Sequence, residues 1–223
     1  MLTTKTDITN KTNITNITRK NKENIESKFH VKPLVKPLVN LVMVDYNNLI
    51  NSFKNMRLVN NLNSVDEIVK LFIILKSKLY KENYLNLFHI YRGIPVDSPS
   101  KARMKQVEIS NQLSKMGWTC LPLRGNKYKN KTSINSKKTS INSKANVDGV
   151  IAADLLKICT SSSKGSKITI LSGDSDFLLM AEVLRAHGFN VSIISGGGIV
   201  SSKIRESPLF IPLSFYTSNY TSK

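Results

Sequence analysis

The chain has 223 residues, 40% of them hydrophobic, and carries 33 basic against 15 acidic side chains for a formal charge of +18. That length fits one domain of ordinary size with tails. No stretch approaches the ~18 uninterrupted apolar residues of a membrane span, two cysteines rule out a disulfide framework, and three His with two Cys argue against a structural zinc site.

Residues 1–38 read as a disordered basic tail, rich in Thr, Asn, Ile and Lys, that ends in the tandem Lys32-Pro33-Leu34-Val35 and Lys36-Pro37-Leu38-Val39. Two prolines four apart fit neither a helix interior nor a central strand, so the segment is expected to feed the first strand as an extended linker. Met1–Lys20 has no apolar h-region, so a cytoplasmic protein is expected; an organellar address stays open as an alternative. Val39–Asp45 is a short apolar run closed by an acid, the pattern of a buried parallel strand. Apolar residues at helical spacing predict a helix over Val65–Tyr80. A strand follows over Leu85–Tyr91, then a surface helix over Lys101–Met116 that stops at Gly117, then a strand over Trp118–Leu123. Residues 125–144 are low-complexity: the heptapeptide Lys-Thr-Ser-Ile-Asn-Ser-Lys occurs at Lys131–Lys137 and again at Lys138–Lys144, and a flexible basic loop is expected. Order returns with a helix over Asp148–Cys159, a strand over Lys167–Ser172, a helix over Ser175–Gly188 and a strand over Asn190–Ser195. Gly196–Gly198 reads as a loop, Ser201–Ile211 as a last short helix or turn, and residues 213–223 as a polar tail. The ordered domain is therefore expected over 39–212. Its alternating strands and helices indicate an α/β, doubly wound parallel sheet.

The charge is concentrated. Residues 101–144 hold eleven Lys or Arg against a single acid, Glu108. Such a block attracts polyanions, although a solubilising loop accounts for it equally well.

In a doubly wound sheet, ligands bind outside the carboxyl ends of the strands, where strand order switches direction. The first strand ends at Asp45, followed by Asn48; the fourth ends at Ser172-Gly173-Asp174-Ser175-Asp176; Asp148 opens the helix before the fourth. Carboxylates gathered at one edge either gain protons or share a cation. Hard oxygen donors suit Mg2+ or Mn2+, and such an ion activates water toward a phosphate. Each acid also has a plainer reading, as an N-terminal helix cap or a dipole-favoured acid in a first turn. Asp154, about 240° round the helix from Asp148, does not share its face and is read as a salt-bridge or solvent residue. The turn after the first strand has no glycine, which argues against dinucleotide binding. His89 and His187 are read as a strand and a helix-end residue.

Three segments together are similar to a known family. Val42-Met43-Val44-Asp45-Tyr46-Asn47-Asn48-Leu49 resembles the hydrophobic-run-Asp-Gly-x-Asn-Leu opening of NYN-domain proteins, the LabA-like branch of the PIN-like nuclease superfamily. Lys144–Asp148 with Ile151–Leu155 resembles its Lys-x-x-Val-Asp…Asp-Leu segment, and Ile170-Leu171-Ser172-Gly173-Asp174-Ser175-Asp176-Phe177 its Ser-Gly-Asp-Ser-Asp-Phe motif. The resemblance implies a three-layer α/β/α sheet of strand order 3-2-1-4-5. It also implies a Mg2+ or Mn2+ site made by Asp45, Asp148, Asp174 and Asp176 with Asn48 assisting, and metal-dependent RNA cleavage, with Asn48 and Ser172 expected among the substrate-binding residues. Arg124, Lys127, Lys129 and the repeat lysines would then steer the RNA backbone, and RNA, a homodimer partner and no membrane are the expected associations. Tyr46 stands where the family has glycine and is expected to crowd the metal edge. A non-catalytic RNA-binding module of the same fold is the alternative.

Overall fold

A computed structural model describes residues 35–61, 64–94, 100–124, 147–198, 200–218 and 220. The expected basic tail up to residue 34 and the repeat-bearing segment 125–144, with Lys127 and Lys129, lie outside these residues, as does the side chain of Arg124. The elements below belong to one unit spanning Lys36–Lys223.

Chain order is β1 (Val39–Asp45), α1 (Tyr46–Asn55), α2 (Val65–Leu79), β2 (Leu85–Ile94), α3 (Ser100–Lys115), β3 (Thr119–Arg124), α4 (Val147–Ser161), β4 (Lys167–Leu171), α5 (Asp176–Ala186), β5 (Asn190–Ser195), α6 (Ser202–Arg205), β6 (Phe210–Pro212) and α7 (Ser214–Thr217). The six strands are all parallel, in the order β3-β2-β1-β4-β5-β6. The expected order 3-2-1-4-5 is present, with the direction of winding reversing between β1 and β4.

β1 is central and buried along its length, with Val42, Met43 and Val44 at 0% exposure. Its alternating side chains feed two cores. On one face Val42 and Val44 pack with Leu49, Phe53, Phe72, Leu75 and Trp118. Phe72 is the hub there, with Trp118 edge-on at 5.3 Å and Phe53 edge-on at 6.1 Å. On the other face Leu41 and Met43 pack with Ile151, Leu155, Phe177, Ala181 and Ile204. The layers are therefore helices, sheet, helices. Helix α2 starts where Ser64 accepts a hydrogen bond from the Glu67 backbone N–H, with Asp66 and Glu67 in its first turn.

Four features differ from the sequence reading. Helix α1 begins at the residue after β1, with no loop between them. The segment read as a last helix or turn holds α6 and then β6, whose Phe210 and Ile211 pair with Ile193 and Ile194. Pro212, lacking an N–H, is tolerated because β6 is an edge strand. The expected polar tail contains α7; Leu213 is 0% exposed and donates its N–H to the Ser195 carbonyl. Lys36–Leu38, read as linker, lie against the domain: the Lys36 ammonium bonds the Thr160 carbonyl at 2.6 Å, and Leu85 N–H bonds the Leu38 carbonyl at 2.9 Å.

Candidate active site

Because Val44 pairs with Leu171, the residues that follow them, Asp45 and Ser172, leave the sheet side by side at its carboxyl edge, at the point where strand order reverses. Asp45 is the N-cap of α1: its Oδ1 accepts the Asn48 backbone N–H at 3.2 Å. The Asn48 side-chain oxygen accepts the Gly173 N–H at 3.0 Å. Asn48 thus ties the β1–α1 corner to the β4–α5 turn, a link across 125 residues. Its side chain also favours the ionised form of the Asp45 carboxyl.

Burial pushes the Asp45 carboxyl above the usual aspartate range, and the nearby Asp148 charge pushes it further; the Asn48 and Asn47 donors pull the other way without cancelling the rise. Asp148 lies in the first turn of α4, where the helix dipole favours an acid. Two carboxylates, one from β1 and one from α4, therefore sense each other at the carboxyl edge.

Ser172 is buried, and its Oγ accepts the Asp174 N–H at 3.3 Å. Asp174 Oδ1 accepts the Asp176 N–H at 3.1 Å, and exposed Asp176 opens α5. So Asp45, Asn48, Asp148, Ser172 and Asp174 stand around one edge, but they do not make a finished cage. Among the described residues, no three His, Cys, Asp or Glu side chains form a group that could hold a metal ion.

Two expectations about neighbouring residues are corrected. Tyr46 does not crowd the edge. Its ring is buried, stacks on Phe72 at 6.1 Å and 13°, and lies under the Arg92 guanidinium at 4.1 Å. Asp154 is half-buried, and among the described residues its partner is a hydroxyl and not a cation: it accepts the Tyr91 hydroxyl at 3.0 Å, and His89 Nδ1 lies 3.2 Å from the same hydroxyl. Tyr91 is the register partner of Asp45, so α4 meets the sheet through Asp148 near β1 and through Asp154 on β2. Sequence reading missed Tyr91, since nothing local links residues 63 positions apart. Gly196–Gly198 is a loop as expected, and it runs against α1: a Cβ on Gly197 would fall 2.7 Å from the Ser52 carbonyl oxygen.

The NYN domain family matches residues 40–214, which takes in all of the sheet except Val39 and every acid of this edge. The chain belongs to the NYN domain family. NYN domains are a PIN-like nuclease family, so the fold and the acidic edge stand in a ribonuclease-type context. No curated protein matches the chain. Among the described residues, no helix of this NYN domain is long and apolar enough to cross a membrane.

Proposed function

We propose that this NYN domain is a metal-dependent endoribonuclease of the LabA-like branch, cutting RNA phosphodiester bonds at the carboxyl edge of β1 and β4. The observation that carries the reading is the link by which Asn48 ties the half-buried Asp45, at the end of β1, to the Gly173 turn after β4 at the switch point, with the Asp148 charge acting on the Asp45 carboxyl. The donor set fits Mg2+ or Mn2+: hard oxygens, with a like-charge pair that a divalent cation would relieve. Asp45 and Asp148 would be the first ligands, with Asp174 and Asp176 completing the acidic pocket. The chemistry such an ion supplies when bound is activation of water and neutralisation of charge on the phosphate. The chain's own part is positional. Asn48 fixes the Asp45 carboxylate and the Gly173 turn together, and Ser172 holds the Asp174 backbone. Arg124, Lys127, Lys129 and the repeat lysines draw in the RNA backbone. RNA is the proposed partner and a second copy of the chain a further one, in a cytoplasmic setting.

The test is cleavage of single-stranded RNA with and without Mn2+. Asp45→Asn and Asp174→Asn should each abolish cutting, and RNA affinity should be retained or raised because a charge repelling phosphate is gone. Cutting at the wild-type rate by either variant would overturn the role given to that residue. A second reading, an RNA-binding module without activity, is favoured by one observation: the described bond of Asp174 is an intra-turn bond to Asp176, the work of a helix-start residue. Wild-type protein that binds RNA and never cuts it with either metal would establish that reading.

A further inference from the structure

A second polar recess lies away from the acidic edge. It is an open cleft of ≈ 390 Å³ between the end of α2, the starts of β1, β4 and β5, the end of α5, and α7. Three cations line it: Lys81, Lys167 and Arg185; no Asp or Glu does. Among the described residues none of the three makes an ion pair, and Lys167 meets only the Tyr84 ring, at 5.0 Å. Three positive groups around one recess repel each other and project a field that an anion would relieve.

The floor is polar. Thr169 and Ser192, paired across β4 and β5, share a hydrogen bond between their hydroxyls at 3.3 Å, which leaves one O–H to donate to a ligand and lone pairs on both oxygens to accept. The Asn40 amide, by contrast, is committed to the Leu79 carbonyl at 2.9 Å and Asn86 Oδ1 at 2.7 Å, so it braces the wall. The remaining wall is apolar, built from Leu209, Pro208 and the Tyr216 ring. Cations for a phosphate, hydroxyls for a sugar and an aromatic wall for a base describe the needs of a nucleotide, and the volume falls in the range of small-ligand sites, roughly 300–1,000 Å³.

The cleft is separate from the acidic edge: from Lys167 to Leu171 the strand rises about 13 Å, so the recess sits at the opposite end of β4. We propose that this cleft binds a nucleotide, its phosphate held by Lys81, Lys167 and Arg185 and its base against Tyr216. The nucleotide is either free or one unit of an RNA chain that passes this face. The inference does not depend on the acidic edge being a nuclease.

The experiment titrates wild-type protein in EDTA with inorganic phosphate, with adenosine 5′-monophosphate and with a short single-stranded oligoribonucleotide, and maps amide shifts by NMR. With phosphate and with the mononucleotide, shifts at Thr169, Asn190 and Ser192 and none at Gly173–Asp176 are expected, the mononucleotide binding more tightly than phosphate; the oligonucleotide should shift Thr169, Asn190 and Ser192 as well. Lys167→Gln with Arg185→Gln should weaken binding at least about tenfold; Lys54→Gln with Lys203→Gln, which removes equal charge elsewhere, should not. Loss of both nucleotide and oligonucleotide affinity identifies a unit of a chain as the ligand, and loss of mononucleotide affinity alone identifies a free nucleotide. Unshifted Thr169 and Ser192 amides, or equal loss in both lysine-charge pairs, overturns the proposal. The wild-type mapping decides the matter even if the double variant fails to fold.

Discussion

Tyr91→Phe tests whether α4 is pinned to the sheet by one hydroxyl. Tyr91 is 0% exposed, and its hydroxyl donates to Asp154 Oδ2 at 3.0 Å. Burial and the Asp154 carboxylate both push the phenol far above its ordinary range, so it is a donor at every accessible pH. A hydrogen bond to a charged group contributes about 1.5–3 kcal/mol. Asp154 is only half-buried, so water partly replaces the lost donor and the lower figure applies. Phenylalanine fills the same space, so no cavity adds to the loss. With a urea m-value of about 2 kcal/mol/M, the midpoint should fall by roughly 0.7 M. Asp154→Asn should show a similar loss, and the double variant should lose less than the sum, by about 1 kcal/mol in a double-mutant cycle. His89 gives an independent readout. Burial holds its pKa below 6.5, while the Asp154 charge raises it. Removing that charge should lower it further in an NMR titration. A His with a depressed folded pKa has its full stability above about 6.5 and loses it as pH falls toward the folded value. Asp154→Asn should widen that window on its acid side. Strict additivity of the two substitutions, together with an unmoved His89, would falsify the pin.

Three further outcomes follow. Asp45→Asn keeps an N-cap acceptor but removes a carboxylate whose folded pKa is raised above 3.8. That penalty is absent below 3.8 and complete above the folded pKa, so the variant's stability relative to wild type should improve as pH rises through this interval in urea titrations, while activity is lost. Gly197→Ala meets the Ser52 carbonyl oxygen at 2.7 Å and sits at φ +71, whereas Gly198→Ala, at φ +79, meets nothing within 4 Å; the first should cost about 2–3 kcal/mol and the second about 1, read as thermal midpoints. Deleting Lys138–Lys144 removes two lysines; if both contact phosphates, the slope of log affinity for single-stranded RNA against log salt should flatten by about 1.4, at ~0.7 per contact, and equally for all sequences. An unchanged slope would mean that the repeat lysines are merely solvated.

The elements legible in the sequence are those whose burial pattern is local. β1 and β5 occupy the expected spans, Val39–Asp45 and Asn190–Ser195, because each is a run of β-forming residues closed by polar or glycine residues. β6 was not legible: three residues including Pro212 carry no strand pattern, and Phe210 and Ile211 are extended because β5 offers them a partner. α1 was hidden because its apolar positions, Leu49, Ile50 and Phe53, stand among Asn, Ser and Lys, and its start is set by the Asp45 cap. Asp45, Asn48 and Ser172 could be placed because the ends of parallel strands at a switch point are fixed by topology. The Tyr91–Asp154 bond and the turn of Tyr46 into the core could not, since both depend on which residues from distant segments share a face.

Capping a helix would not keep the acids at the edge from serving the proposed site. Asp45 and Asp174 do what the plainer reading expected: one caps α1 and the other accepts a backbone N–H at the start of α5. In both, that bond falls on Oδ1. A carboxylate has two oxygens and about four lone-pair positions, so one backbone bond leaves acceptor capacity for a ligand. The capping bond even helps, because it fixes the side-chain torsion of a residue that would otherwise lose rotamer freedom on binding a cation. The cost appears where the structure shows it, in Asp45. That carboxyl is taken out of water beside Asp148, and its two asparagine donors only partly offset the rise. An isolated helix cap has no need of a second acid at its side. The Asp148 charge acting on the Asp45 carboxyl, and not the capping geometry, is therefore the feature that calls for a function.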